Sequence, residues 1–305
     1  MTDFGAEVSF AQASARLQQH YGIEVPPTAV RRVSLQHGGQ LQAWSAPART
    51  TPDVARLVTE LDGCLIPLRE PLTTTAEGKR TMPRLWKEVR LCAARADGVA
   101  QARYGASLGS VLEVGELWEQ TARTAGLGAA TRVHGVGDGA PWIAEQFDRH
   151  FGGQGRYLVD FYHVTEYLAA AAPSCAPRAV PAWVARQQDR LKANQLDRVL
   201  RDLVAHIEAV EGVARRGRER AESATPVRDC ERYLRARREQ LDYAGAIAVG
   251  LPIGSGLIES GHRHVVQARL KKPGACWYER HARSILALRV VRANGDWKQY
   301  WNSLN

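Results

Sequence analysis

Four acids and one histidine have the types and spacing that chemistry would use. Asp62 sits inside an apolar run, ELDGCLIP. An acid there is costly to bury unless something pairs with it, and a metal ion is one such partner. Asp138 ends the run RVHGVG, and Asp160 ends the run Tyr157-Leu158-Val159, with His163 three residues on. Two buried-type strands that each deliver a carboxylate at the C-terminal end have chemical use, because open α/β folds place ligands at that sheet edge. The competing reading is that each acid caps the helix that follows it. His163 could equally be a structural histidine bonded to a backbone carbonyl.

The fourth acid, Glu259, follows Gly254-Ser255-Gly256 in the first turn of a helix. His262, Arg263 and Gln267 share its face at i+3, i+4 and i+8. If the strands of Asp62 and Asp138 are neighbours, their carboxylates can converge and Glu259 can supply a third. Hard oxygen donors without clustered Cys or His suit Mg2+ or Mn2+ better than zinc. Two such ions roughly 3.5–4 Å apart can activate a water or 3′-hydroxyl and stabilise the leaving oxygen of an in-line phosphodiester displacement.

The elements that must position these residues follow from periodicity and punctuation. Ser9 caps a helix through Ala13, Leu17 and Tyr21 that stops at Gly22, and Pro26-Pro27-Thr28 opens a second helix with Arg31 and Arg32 outward. The pair fits a helix-turn-helix or an ordinary helical hairpin. Strands follow at Arg56–Ile66, Trp86–Ala96 and Val99–Leu108, the last two joined at Asp97-Gly98, a strong hairpin signal. Between the first two lies a polar loop with Lys79, Arg80 and Arg84. A helix from Ser110 to Gly126 precedes the Asp138 strand, a helix and the Asp160 strand. The order β-β-β-α-β-α-β-α describes a mixed α/β sheet with crossovers in its second half. Beyond His163 the chain becomes helical, with breaks at Pro173, Pro177 and Pro181, a helix over Trp183–Gly212, the basic run ARRGRERAE, and a helix over Pro226–Tyr243. Its Arg runs are solvated helix faces or a DNA-facing surface. Glu279–Arg292 and an aromatic tail are helices.

Composition bounds the rest. The chain has 305 residues, 45% of them apolar, with 41 Lys+Arg against 32 Asp+Glu, a formal charge of +9. That excess favours a polyanionic partner. No apolar stretch approaches the ~20 residues of a membrane span, and the N-terminus does not read as a signal peptide. The five cysteines are scattered and form no CxxC, so a disulfide framework or zinc site is not expected and a reducing cytoplasm fits.

Taken in order, ELDGCLIP, WKEVRL, GVGDGAPWI, VDFYHVTEYL, LPIGSGLIES and RLKKPGACW…LALR resemble the catalytic core of bacterial insertion-sequence DDE transposases, nearest the ISKra-type group, distant relatives of the Mutator-like elements. The resemblance runs from about residue 54 to 293. It implies an RNase H-like α/β fold: a mixed five-stranded sheet, an all-helical insertion before the last catalytic helix, and a small N-terminal helical segment. The corresponding division is 1–50, 51–172, 173–248 and 249–305. It implies that Asp62, Asp138 and Glu259 are the catalytic, metal-binding acids, holding two Mg2+ or Mn2+ ions. Asp160 and His163 match a motif that supports the active site or the transposon ends, with His262 and Arg263 on the Glu259 face. Arg269, Lys271 and Trp277 would lie near DNA, although Trp277 read on its own is a core residue. The expected partners are double-stranded DNA and further copies of the chain, in the cytoplasm with the nucleoid. The alternatives are a structure-selective nuclease on the same fold and a domesticated, non-catalytic DNA-binding protein. In this family a longer DNA-binding region often precedes the core.

Overall fold

The structure, a computed structural model, describes residues 1–44, 52–71, 73–74, 80–214 and 225–304. Lys79 and the run Arg215–Arg220 lie outside the described residues. Three helices come first: α1 (Thr2–Glu7), α2 (Phe10–Tyr21) and α3 (Pro27–Ala43). Ser9 and Gln12 close a capping box on α2, and Gly22 ends it in the left-handed region at φ 66°, as their residue types require. The helix α1 had no sequence signal.

The strands are β1 (Arg56–Arg69), β2 (Thr73–Thr74), β3 (Arg80–Thr81), β4 (Arg84–Ala96), β5 (Arg103–Ser107), β6 (Arg132–Gly137) and β7 (Gly155–Val159). Five of them form one mixed sheet in the order β5-β4-β1-β6-β7, and β2 and β3 pair separately. β1 and β4 pair antiparallel along their whole length, which carries the hairpin beyond the expected ends at Ile66 and Trp86. β4 and β5 are antiparallel, and β6 and β7 parallel. Intervening helices are α4 (Val111–Thr124), capped by Ser110 and Glu113, and α5 (Pro141–Phe151), opened by its proline.

After β7 come α6 (Phe161–Cys175), α7 (Val180–Lys192), α8 (Leu196–Ala214), α9 (Thr225–Ala236) and α10 (Tyr243–Ala248). Four expectations need correction. The helix expected over Trp183–Gly212 is two, α7 and α8, broken where Asn194 takes φ 54°. The strand expected over Val99–Leu108 is only Arg103–Ser107, so the link from β4 is longer than a two-residue turn. Pro173 lies inside α6 instead of ending it; it leaves the Ala169 carbonyl without its helical donor, and the helix runs only to Cys175 beyond it. The helix expected over Pro226–Tyr243 stops at Ala236, and Asp242 caps a new one by accepting from the Gly245 N–H. The chain closes with α11 (Gly256–Gly261), a π-helical turn over His262–Gln267, α12 (Ala268–Leu270), α13 (Glu279–Ala293) and α14 (Trp297–Asn302).

The chain divides into two compact units, Met1–Arg132 with Gly256–Asn305, and Val133–Ser255. In the first, alternate residues of β1 and β4 (Cys64, Ile66 and Leu68; Val89, Leu91 and Ala93) point at Ile258, Val265, Val266 and Leu270, and form one apolar core with α13. The opposite face of β1 meets α4, where the indole N–H of Trp118 donates to the Thr59 hydroxyl. In α3, Val30, Ser34, Gly38 and Leu41 are buried. A Cβ on Gly38 would stand 2.3 Å from the Ser284 carbonyl oxygen of α13. That helix is therefore packed along its buried face, while Arg31 and Arg32 are exposed. In the second unit α6 packs on α7 and α9, and α8 on the same two helices. No helix among the described residues is long and apolar enough to cross a membrane.

Candidate functional site

Strand alternation puts Glu60, Asp62 and Cys64 on one face of β1, and each engages the segment that carries Glu259. Glu60, only 1% exposed, accepts the backbone N–H of Ile258 at 2.7 Å. This satisfies one of the open donors of the first turn of α11 and sets a carboxylate at its positive end. Glu259 is the next residue, exposed in that first turn. One turn on, His262 Nε2 lies 3.2 Å from Asp62 Oδ2. The other Asp62 oxygen accepts the Gly63 N–H at 2.7 Å. Cys64 Sγ is buried beside His262 and meets Gln267 Nε2 at 3.9 Å. Asp62 and Glu259 thus share one unit and one side of β1.

His262 is 4% exposed, and neither of its ring nitrogens makes an aligned hydrogen bond. Its contact with Asp62 is therefore a close charge pair more than a directed bond. Burial alone would lower the His262 pKa; the neighbouring Asp62 and Cys64 override it and raise it to about 9. Cys64 moves the other way. Burial pushes its thiol up, and His262 with Lys271 and Gln267 brings it below the ordinary value. The π turn holds this arrangement. A π turn frees carbonyls from the α-helical ladder, and Arg289 of α13 donates to those of His264 and Val265 while pairing with Glu7 of α1.

In the second unit Asp138 directly follows β6. Its Oδ1 accepts the Ala140 N–H at 2.8 Å, and its backbone carbonyl accepts the Tyr233 hydroxyl at 2.6 Å. Asp160 is a cap. Its Oδ1 accepts from the N–H groups of Tyr162 and His163 at 2.6 and 3.2 Å, and its Oδ2 from the Ser255 N–H at 2.7 Å and from the Ser255 hydroxyl. The helix-cap reading of Asp160 is therefore the one its geometry supports. His163 is half-buried, 3.4 Å from Glu166 and edge-on to Tyr167 and Tyr233.

Two residues that the resemblance put near DNA are structural. Arg269 is 3% exposed, donates to the Gly5 carbonyl at 3.1 Å, and lies between the rings of Phe10 and Trp277 at 4.8 and 4.7 Å. Burial and the adjacent Arg289 pull its pKa down. Trp277 is 8% exposed and donates its indole N–H to Leu270. Both are covered by α1 and α2, whose Gly5 and Phe10 lie more than 250 residues away in sequence. Arg263 and Lys271 are exposed.

Carboxylates are the donors that Mg2+ and Mn2+ prefer, so the donor set fits a hard divalent ion. Among the described residues, however, no group of three or more His, Cys, Asp or Glu side chains is gathered to hold a metal. Sequence reasoning missed Glu60, Cys64, Tyr233 and Arg237. The period-2 alternation around Asp62 would have found the first two; the others lie about a hundred residues from the acid they serve and carry no local signal. Residues 124–302 match the model of the uncharacterised protein family UPF0236, and the chain belongs to that family. No curated protein matches it.

Proposed function

We propose that this protein is a DNA transposase that cleaves and joins phosphodiester bonds at the ends of a mobile element, with Asp62, Asp138 and Glu259 as its catalytic carboxylates. One observation carries the reading: the β1 face that presents Asp62 also anchors, through Glu60, the first turn of the helix that presents Glu259. A buried acid spent on holding a second, exposed acid beside a third is an expensive arrangement for stability alone, and a fitting one for a site that must be built before substrate arrives.

The roles follow from the contacts. Asp62 and Glu259, with Asp138, would hold two Mg2+ or Mn2+ ions, which supply a nucleophile of lowered pKa and neutralise the departing 3′-oxygen. His262 steadies Asp62 by its 3.2 Å contact. Because that contact occupies Oδ2, an incoming cation must share or displace the imidazole. Arg263 and Lys271 present exposed charge beyond the acids, suited to phosphates and sensitive to salt. Pairing two element ends calls for a dimer or higher assembly.

The test is cleavage of a plasmid carrying the non-coding DNA that flanks the gene, with Mg2+ or Mn2+. Wild type should nick it at defined positions, and Asp62→Asn, Asp138→Asn and Glu259→Gln should each abolish nicking while the protein stays folded. Nicking that survives all three would overturn the assignment of these acids, and a folded, DNA-bound wild type that nicks nothing would favour a non-catalytic DNA-binding protein. Nicking without any joined product would favour the structure-selective nuclease.

A further inference from the structure

Asp138 stands on a turn of unusual definition. β6 ends at Gly137, Gly139 adopts φ +79°, and α5 starts at Pro141. Three side chains from outside the turn fix its backbone. Tyr157 of β7 accepts the Gly139 N–H at 3.2 Å. The Tyr233 hydroxyl of α9 donates to the Asp138 carbonyl at 2.6 Å, and Arg237, just past α9, donates from Nε to the Gly139 carbonyl at 2.8 Å. The two donors are themselves locked together. The Arg237 guanidinium lies 3.8 Å above the Tyr233 ring, and its Nη1 donates to the Tyr233 carbonyl at 3.3 Å. The far face of Tyr233 has its own partner, the ring of Tyr167, stacked at 4.0 Å and 18°. His163 meets both rings edge-on.

Only glycine fits at 139. A Cβ there would stand 2.6 Å from Arg237 Nε and 2.8 Å from the Tyr233 hydroxyl, in a backbone region that side chains already disfavour. Tyr233 is 7% exposed, and its hydroxyl has the Asp138 carbonyl as its acceptor. The turn's side-chain bond, Ala140 N–H to Asp138 Oδ1, uses one carboxylate oxygen and sets the direction of the group.

We infer that Tyr233 and Arg237 are positioning residues for Asp138: the α9 end of the helical region clamps the turn that aims this carboxylate. The inference rests on the reading of Asp138 as a catalytic acid. It assigns the helical region a part in the chemistry besides any contact with DNA. Positioning of this kind is worth a large rate factor, since small misplacements of a reacting group cost up to about a hundredfold.

The experiment compares wild type with Tyr233→Phe, Arg237→Met, Arg237→Lys and Asp138→Asn, all with matched thermal stability. The Phe variant keeps the ring stack and loses only the hydroxyl. Three readouts are taken on the flanking-DNA plasmid: turnover, KM for DNA, and Mn2+ affinity by electron paramagnetic resonance titration. Tyr233→Phe and Arg237→Met should lower turnover about tenfold or more with KM unchanged, and weaken Mn2+ binding several-fold. Arg237→Lys, which can still donate to the Gly139 carbonyl, should recover part of the loss. Wild-type turnover and Mn2+ affinity in both Tyr233→Phe and Arg237→Met, with Asp138→Asn dead, would overturn the inference and leave the proposed function standing. If Asp138→Asn cleaves like wild type, the proposed function falls and the inference with it. Should Tyr233→Phe fail to fold, the two Arg237 variants decide the matter by the same criteria.

Discussion

Replacing Glu60 by alanine should unfasten the helix that carries Glu259. Glu60 is 1% exposed and accepts the Ile258 N–H at 2.7 Å. Hydrogen bonds to charged groups contribute about 1.5–3 kcal/mol, and an orphaned buried donor costs about 1–3 kcal/mol. Loss of a negative charge at a helix N-terminus adds about 0.3–1 kcal/mol. These contributions overlap, so the expected cost of Glu60→Ala is about 3 kcal/mol. Glu60→Gln keeps an oxygen acceptor of the same reach and should cost about 1–2 kcal/mol. In a unit of roughly 150–250 residues each kcal/mol lowers Tm by about 2–4 °C. Calorimetry should therefore show a drop of about 6–12 °C for Ala and about half that for Gln. Amide hydrogen exchange at Ile258 supplies the local readout: it should accelerate strongly in Glu60→Ala and modestly in Glu60→Gln. A cost below about 0.5 kcal/mol for Ala, or unchanged exchange at Ile258, would refute the argument that β1 holds α11 through this acid.

Other outcomes follow from the same contacts. Asp160→Ala should cost about 2 kcal/mol or more in urea unfolding, since four donors lose their acceptor; Asp138→Asn, whose carboxylate has a single local bond, should cost far less, and the reverse order would contradict the separation of their roles. Arg263→Ala and Lys271→Ala should each reduce the slope of log affinity for duplex DNA against log salt by about one, whereas Arg269→Gln should lower Tm without changing that slope. Burial would raise the Asp202 pKa, but Gln187 and Arg190 beside it lower it overall. That stabilisation is present above pH ~4 and lost as pH falls through the depressed folded value. Asp202→Asn should therefore destabilise at pH 7 by less than about 1 kcal/mol, because the pair is part-exposed, and the difference should vanish on acidification; a constant difference would rule out an electrostatic origin.

What the sequence made legible is local. Ser9 and Gly22 bracket α2, Asp97-Gly98 begins the turn that follows β4, and the two apolar runs before Asp138 and Asp160 are parallel neighbours in the sheet. Each signal lies within a few residues of its consequence. What was hidden depends on distant partners. Nothing around Asp62 announces His262, 200 residues on, and the π turn that brings His262 to it is completed by an arginine on another helix. The resemblance put Arg269 and Trp277 near DNA, but Phe10 and Gly5 cover them, as the core reading of Trp277 expects. Asp160 and Asp138 read as equivalents, both acids at strand ends, and separate only when Ser255 fills the second oxygen of Asp160.

The central claim is that these carboxylates transfer DNA strands. The most direct measurement incubates the protein, with Mg2+ or Mn2+, with pre-cleaved duplex ends bearing a free 3′-hydroxyl, taken from the DNA flanking the gene, and a supercoiled target plasmid. The account predicts covalently joined product from wild type and none from Asp62→Asn or Glu259→Gln. Absence of joined product from folded, DNA-bound wild type would contradict it.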